Sequence, residues 1–203
     1  MKFPVSQRVR AMSTSRAGRI TLAAVPTAVA AAVLMGGVAE GAVPVSFAVS
    51  GSQFKISADK LDGSGFSQYA GVAKDASGSA NPVAIANIKS ASLANLCQSV
   101  VTQTPMGTVG LLIHAGGGNS PATASDLQIG MTGLQGDASF SNIRIGVDAS
   151  TVNTAAKGAA GDFAQDADTV TIGGLKQTAW STQASVFNLS GMKLELTNGT
   201  ECF

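Results

Sequence analysis

From Val45 onward, apolar and small polar residues alternate with a period of two, and this constrains the fold more than any other feature of the chain. Val45, Phe47 and Val49 point one way while Ser46, Ala48 and Ser50 point the other. Such alternation places one set of side chains on each face of a β-strand, whereas a helix would need apolar residues three and four apart. Gly51-Ser52 then separates this run from Phe54, Ile56 and Ala58. Two alternating runs joined by a Gly-Ser link predict a β-hairpin with a type II′ turn.

The same rule predicts further strands at Val83–Ile88, Leu93–Val101, Val109–His114, Leu127–Met131, Phe140–Val147, Val170–Leu175 and Phe187–Leu196. Pro105-Met106-Gly107 marks a turn before the third of these. In the last run Met192, Leu194 and Leu196 alternate with Lys193 and Glu195, the pattern of a strand with one face in water. Two stretches read as loops: Ala115–Ser125, which carries three consecutive glycines, and Ala149–Asp168, with room for a short helix at Phe163–Ala167. The runs beginning at Val83, Leu127 and Val170 form a weak repeat, the shape of equivalent sandwich strands or of a solenoid. The reading is one all-β, sandwich-like domain over residues 40–203, with a β-solenoid as the alternative.

Ahead of that domain, Lys2, Arg8, Arg10, Arg16 and Arg19 precede Ile20–Ala39, a stretch without a charged residue. A basic segment followed by an apolar one predicts export, with residues 1–19 left in the cytoplasm. Gly37-Val38-Ala39 offers the small residues of a signal-peptidase site, so the domain is expected to be released near Ala39. Residues 20–39 would equally span a bilayer as an uncleaved anchor helix, and both outcomes stay open. There is no twin-arginine pair, which favours the general secretion route.

Without residues 1–39 the charge balance inverts. Seven Lys and Arg144 face twelve Asp and Glu, a net of −4 against +1 for the whole chain. One arginine on a net-negative domain leaves no electrostatic footprint for nucleic acid and no basic patch for anionic lipid. Cys97 and Cys202 are the only cysteines. In an oxidising compartment they are expected to pair, and two Cys with one His cannot complete a four-ligand zinc site.

Catalytic candidates are few. No Gly-x-Ser-x-Gly occurs, and the nearest approach is Ser120, between Asn119 and Pro121, with His114 six residues before it. His114 is the only histidine, and it precedes Ser120 where a hydrolase of the nucleophile-elbow type places it after. Pro121 also removes the backbone N–H that would complete an oxyanion hole. Asp162, Asp166 and Asp168 are candidates for a calcium site through oxygen ligands, at a spacing that fits no EF-hand. Asp59 and Asp62 suggest a glycosidase pair, but their surroundings read as a loop. Trp180 is expected inside the domain, near the disulfide. Asn188 and Asn198 begin matches to the glycosylation sequon and read as accidents of composition. No cofactor is indicated.

Four segments together carry a resemblance: Gly65–Gly71 (GFSQYAG), Asn95–Val100 (NLCQSV), Leu175–Trp180 (LKQTAW) and Leu189–Leu194 (LSGMKL). With the basic, apolar N-terminus they resemble a family of actinobacterial exported proteins containing a domain of unknown function. Members are often labelled cholesterol esterase, and they tend to be encoded beside a small multi-spanning membrane protein. The resemblance thus implies an envelope partner. The functional expectation is a non-enzymatic envelope or secreted protein presenting a disulfide-stapled β domain for structural or binding work. The alternatives are a lipid- or sterol-binding module and an esterase.

Overall fold

A computed structural model describes residues 48–75 and 77–203. The expected signal or anchor at residues 20–39 lies outside them, as do the cytoplasmic segment and the cleavage site. Among the described residues the regular structure is entirely β: β1 (Ala48–Val49), β2 (Phe54–Asp75), β3 (Ala80–Ala94), β4 (Leu96–Thr104), β5 (Gly107–Ala115), β6 (Ala122–Ser141), β7 (Arg144–Asp148), β8 (Phe163–Gln183), β9 (Val186–Asn188) and β10 (Lys193–Thr197). No helix among these residues is long and apolar enough to cross a membrane.

The strands fall into four long antiparallel arms. β2 pairs with β3 and then with β4 in one unbroken register, from Lys74↔Ala80 through Lys60↔Ala94 to Phe54↔Val100. Asn95, at φ +51, separates β3 from β4 without shifting that register. β5 and β6 run along the far edge of this arm, β6 and β7 along one edge of β8, and β10 along β5. The ladder from β8 back to β2, Phe54↔Ala179 to Ala58↔Leu175, closes the sheet into a barrel-like ring. Side chains extend the seam, Thr171 Oγ1 donating to Asp62 Oδ1 at 2.9 Å and Gln165 Nε2 to Gln68 Oε1 at 2.7 Å.

The ring is strongly staggered. A circuit from Ala70 to Ala84, Met131 and Ala179 returns to β2 at Phe54, sixteen residues before its start. So large a stagger requires steeply tilted, coiled strands, and it brings the two ends of β2 to one level. This explains a departure from the expected hairpin. Ala48 and Val49 pair in parallel with Lys74 and Asp75 at the far end of β2, and not with Phe54–Ala58 across Gly51-Ser52. Every other pairing among the described residues is antiparallel, so the solenoid alternative is not their fold.

The interior is apolar, with Leu61, Phe66, Ile88, Ile129 and Leu175 among its buried side chains. Phe66 and Phe140 pack with ring centroids 5.3 Å apart. Burying a side chain of this size contributes roughly 1.5–3 kcal/mol. Gly65, at φ +65, lies between the pairs Ser64↔Ser90 and Phe66↔Ile88. Its left-handed backbone turns Phe66 inward and sends Ser67 and Tyr69 to the outer face.

That outer face is covered by residues 149–162, a strap with no regular structure. Val152 and Ala149 press on Tyr69, Val83 and Ile85, forming a second apolar cluster with Trp180 packed against it. Asp148 holds the strap's ends, accepting from Ser150 N at 2.8 Å and Gly161 N at 2.8 Å. The helix expected at Phe163–Ala167 is instead the start of β8, in which Ala164 and Asp166 are buried while Phe163 is exposed. Asp59 and Asp62 likewise sit within β2 and not in a loop. In β10 the structure leaves Leu194 and Leu196 exposed, so the apolar side of that strand is not the buried one.

Cys97 and Cys202 form the expected disulfide. It draws the C-terminus across β4, where Cys202 N donates to Ser99 Oγ at 3.0 Å. Lys55 meets Glu201 Oε2 at 2.7 Å, and the Phe203 ring lies beneath Lys55 and Lys176, binding the tail across the β2–β8 seam.

Candidate functional site

Beside the strap, β3, β6 and the β8–β9 corner enclose a surface cleft of about 540 Å³. Its walls include Asn87, Lys89, Asp126, Gln128, Asn153 and Gln183. The volume falls within the ~300–1,000 Å³ of ordinary small-molecule sites.

The cleft rests on an ordered polar chain. Gln128 Nε2 donates to Asn87 Oδ1 at 2.7 Å, and Asn87 Nδ2 donates to Ser67 Oγ at 3.2 Å. Ser67 and Thr154 hydroxyls lie 2.5 Å apart, and Thr154 Oγ1 donates to Ala156 O at 3.0 Å. Since the Thr154 proton is committed to Ala156, the Ser67 hydroxyl must donate to Thr154. Every donor then points the same way, from the cleft wall towards the strap. Ser67, Asn87 and Thr154 are buried, so each bond replaces a costly unpaired group. Gln128, half-buried at the wall, keeps its Oε1 and one N–H outside this chain. Tyr69 is also buried beside the Asn87 and Gln128 amides, yet its hydroxyl makes no well-formed bond to either. Burial pushes the phenol pKa upward, against the pull of those two amides.

A bidentate ion pair anchors the strap from the other side. Arg144 Nε and Nη2 donate to the two oxygens of Asp166 at 2.8 and 2.5 Å. Asn153 N donates to Asp166 Oδ2 at 2.7 Å, and Asn153 Nδ2 to Ala167 O at 3.0 Å. Asp166 is only 1% exposed, and the Arg144 guanidinium, ahead of Asn153, holds its carboxyl below the usual range despite burial. Asn153 is thereby fixed at the cleft.

The structure separates most of the residues singled out in the sequence. Asp166 is an Arg144 partner, Asp168 accepts from Asn142 Nδ2 at 2.7 Å, and Asp162 closes the strap through its backbone. Among the described residues no three carboxylate, thiol or imidazole groups converge in a way that would hold a metal. Asp59 accepts from Asn95 Nδ2 at 2.5 Å. Asp62 meets Lys60 at 2.9 Å, and that bond leads the lowering of its pKa. His114 is exposed on β5, opposite Cys97 on β4 and Lys193 on β10. Ser120 is exposed in the glycine loop, with no side-chain hydrogen bond to His114 among the described residues.

The barrel interior offers a second space. Phe66, Ile88, Met131, Leu175 and Gln177 line a cavity of about 40 Å³. Gln177 is buried, and its Nε2 has no hydrogen-bond partner among the described residues.

Strands β2 to β10, the strap, the cleft and the disulfide all lie within residues 50–203, which match a family of unknown function, DUF6230. The chain belongs to the DUF6230 family. No curated protein matches the chain, and no solved structure does. The DUF6230 match bears out the resemblance as far as a domain of unknown function, and it carries neither the esterase label nor the actinobacterial source.

Sequence reasoning missed Ser67, Asn87, Gln128 and Thr154. Two signals were present. Asn87 interrupts the apolar run Val83–Ile88, and Arg144 is the only arginine beyond residue 39. An amide amid core residues and a lone guanidinium each require a dedicated partner.

Proposed function

We propose that this protein is an exported, non-enzymatic component of the cell envelope whose β domain binds a neutral, hydroxyl-rich ligand, such as an envelope glycan, in the cleft beside the strap. The observation that carries this reading is the one-directional chain Gln128–Asn87–Ser67–Thr154, which orients a free amide at the cleft wall. Gln128 faces Gln183 across the β6–β8 ladder, so two amides stand side by side there. Amides offer paired donors and acceptors without charge, which suits sugar hydroxyls better than phosphates or carboxylates. Lys89 and Asp126 on the walls carry opposite charges and confer no net sign.

The basic segment and the uncharged residues 20–39 support export, and the disulfide suits an oxidising compartment. The protein is then either tethered through residues 20–39 or released after Ala39, and the resemblance adds a small integral membrane protein as its partner. An intact mass from the membrane fraction and from the medium distinguishes tethering from release. A lipid or sterol ligand is the second reading, and its place is the barrel lumen. At about 40 Å³ that cavity is far smaller than the ~300–1,000 Å³ of ligand sites, so it supports the second reading less than the cleft supports the first.

Calorimetric titration with neutral oligosaccharides released from the envelope tests the proposal. Saturable binding that weakens about tenfold in Gln128→Leu is the expected result, the loss of one or two hydrogen bonds. Equal binding by both proteins removes the cleft from consideration.

A further inference from the structure

The strand β10 closes one end of the sheet, paired on one side with β5 and on the other with no strand among the described residues. Open edges are commonly protected by a bulge, a proline or an inward-pointing charge. β7, at the opposite end of the sheet, carries a bulge between Ile145 and Val147. β10 carries neither a bulge nor a proline: its register runs unbroken from Lys193↔His114 to Thr197↔Gly110, and its two charges, Lys193 and Glu195, are of opposite sign. Met192, Leu194 and Leu196 are 54%, 51% and 74% exposed, a row of apolar side chains along the open edge. Leu194 pairs with Ile113 and Leu196 with Leu111, so the row continues an apolar face begun on β5.

We infer that β10 pairs antiparallel with β10 of a second copy of this chain, about a two-fold axis through Leu194. This register sets Leu194 against its own counterpart, Met192 against Leu196 of the second copy, and Lys193 against Glu195 of the second copy. Both apolar pairs and both ion pairs are satisfied at once. Moving the axis to Glu195 sets Glu195 against Glu195, and moving it to Lys193 sets Lys193 against Lys193. Like charges directly opposite on paired strands are destabilising. The strand is therefore self-complementary in one register and self-repelling in its two neighbours. Within one chain Lys193 and Glu195 already meet at 2.8 Å, both exposed, so exchanging partners across the axis costs little. Dimer formation joins the two β5–β10 apolar faces into one continuous sheet.

Mass-resolved sedimentation of the whole chain in a mild detergent tests this with two charge reversals on an exposed edge. Wild type is expected to dimerise reversibly. Lys193→Glu and Glu195→Lys, each leaving like charges across the axis, are expected to weaken the dimer about tenfold or more while keeping the native near-UV spectrum. An equimolar mixture of the two variants sets an acidic strand against a basic one and is expected to restore the dimer. Leu194→Cys is expected to give a disulfide-linked dimer on mild oxidation, because directly opposed Cβ atoms lie ~4.5–5.5 Å apart. A wild-type monomer at all concentrations overturns the inference. So does a dimer that ignores both reversals, or a mixture that stays as weak as its parts.

Discussion

Asn87 on β3 and Gln128 on β6 stand directly opposite each other in the ladder, and the Gln128 amide donates to the Asn87 carbonyl oxygen at 2.7 Å. Asn87 passes the interaction on to Ser67 and so to the strap, which makes one cross-strand amide pair the joint between barrel and cleft. Asn87→Leu should leave a buried serine without a donor and Gln128 without its acceptor. The expected cost is about 1–3 kcal/mol, read as a lowered urea midpoint with an unchanged slope.

The Arg144–Asp166 pair should give the domain an acid-sensitive strap. Folding depresses the Asp166 pKa, so the unfolded chain binds the proton more readily. The pair's stabilisation is therefore fully present above the ordinary aspartate value of about 3.9 and is lost as pH falls below it. Arg144→Leu leaves the buried carboxylate without its counter-charge, so the variant should be less stable at neutral pH and should no longer lose stability on acidification. Stability measured against pH in both proteins checks this, with convergence expected at low pH.

Gly116 should tolerate no side chain. It sits at φ +73, and a Cβ there would lie 2.6 Å from Ala122 N and 2.7 Å from Leu93 O, both backbone atoms. Gly116→Ala should cost more than the ~1 kcal/mol of an ordinary left-handed position, visible as a lower melting temperature.

Reduction of the Cys97–Cys202 bridge should destabilise the domain substantially, because it closes a loop with a sequence separation of 105. The chain-entropy account puts the effect near ~4.7 kcal/mol for a loop of that size. The urea midpoint should fall on adding reductant, and the reduced protein should match a Cys97→Ser/Cys202→Ser variant.

Ser120→Ala should leave any ester turnover by the preparation unchanged, since Ser120 and His114 share no hydrogen bond among the described residues and Pro121 N has no proton to donate. Loss of turnover in that variant, with the fold intact, would restore the esterase reading.

The all-β class was legible because alternation is a local signal, and the expected strands at Val83, Val109, Leu127 and Val170 fall within β3, β5, β6 and β8. The closure of the ring was not. It depends on which register β8 takes against β2, a long-range choice made by packing and not by the strand's own pattern. The expected strands were also too short, because Asp59 and Asp62 looked like turn residues. In the structure they are satisfied inside a continuous strand by Asn95, Lys60 and Thr171 from neighbouring positions. The cleft was least legible of all. Its polar chain joins Ser67, Asn87, Gln128 and Thr154, residues distant in sequence whose types are commonplace one by one. Only the fold brings them together. The acidic cluster misled for a complementary reason: adjacency in sequence put Asp162, Asp166 and Asp168 together, whereas the fold leaves Asp162 at the end of the strap and gives Asp166 and Asp168 on β8 different partners, Arg144 and Asn142.

The most direct test of the cleft is to follow the side-chain amide resonances of Gln128, Gln183 and Gln177 while neutral envelope oligosaccharides are titrated in. Gln128 and Gln183 stand at the cleft, and Gln177 lies in the barrel lumen. Saturable shifts at Gln128 and Gln183 with Gln177 unmoved are the expected result. Shifts at Gln177 alone, or none at any of the three, would contradict the account.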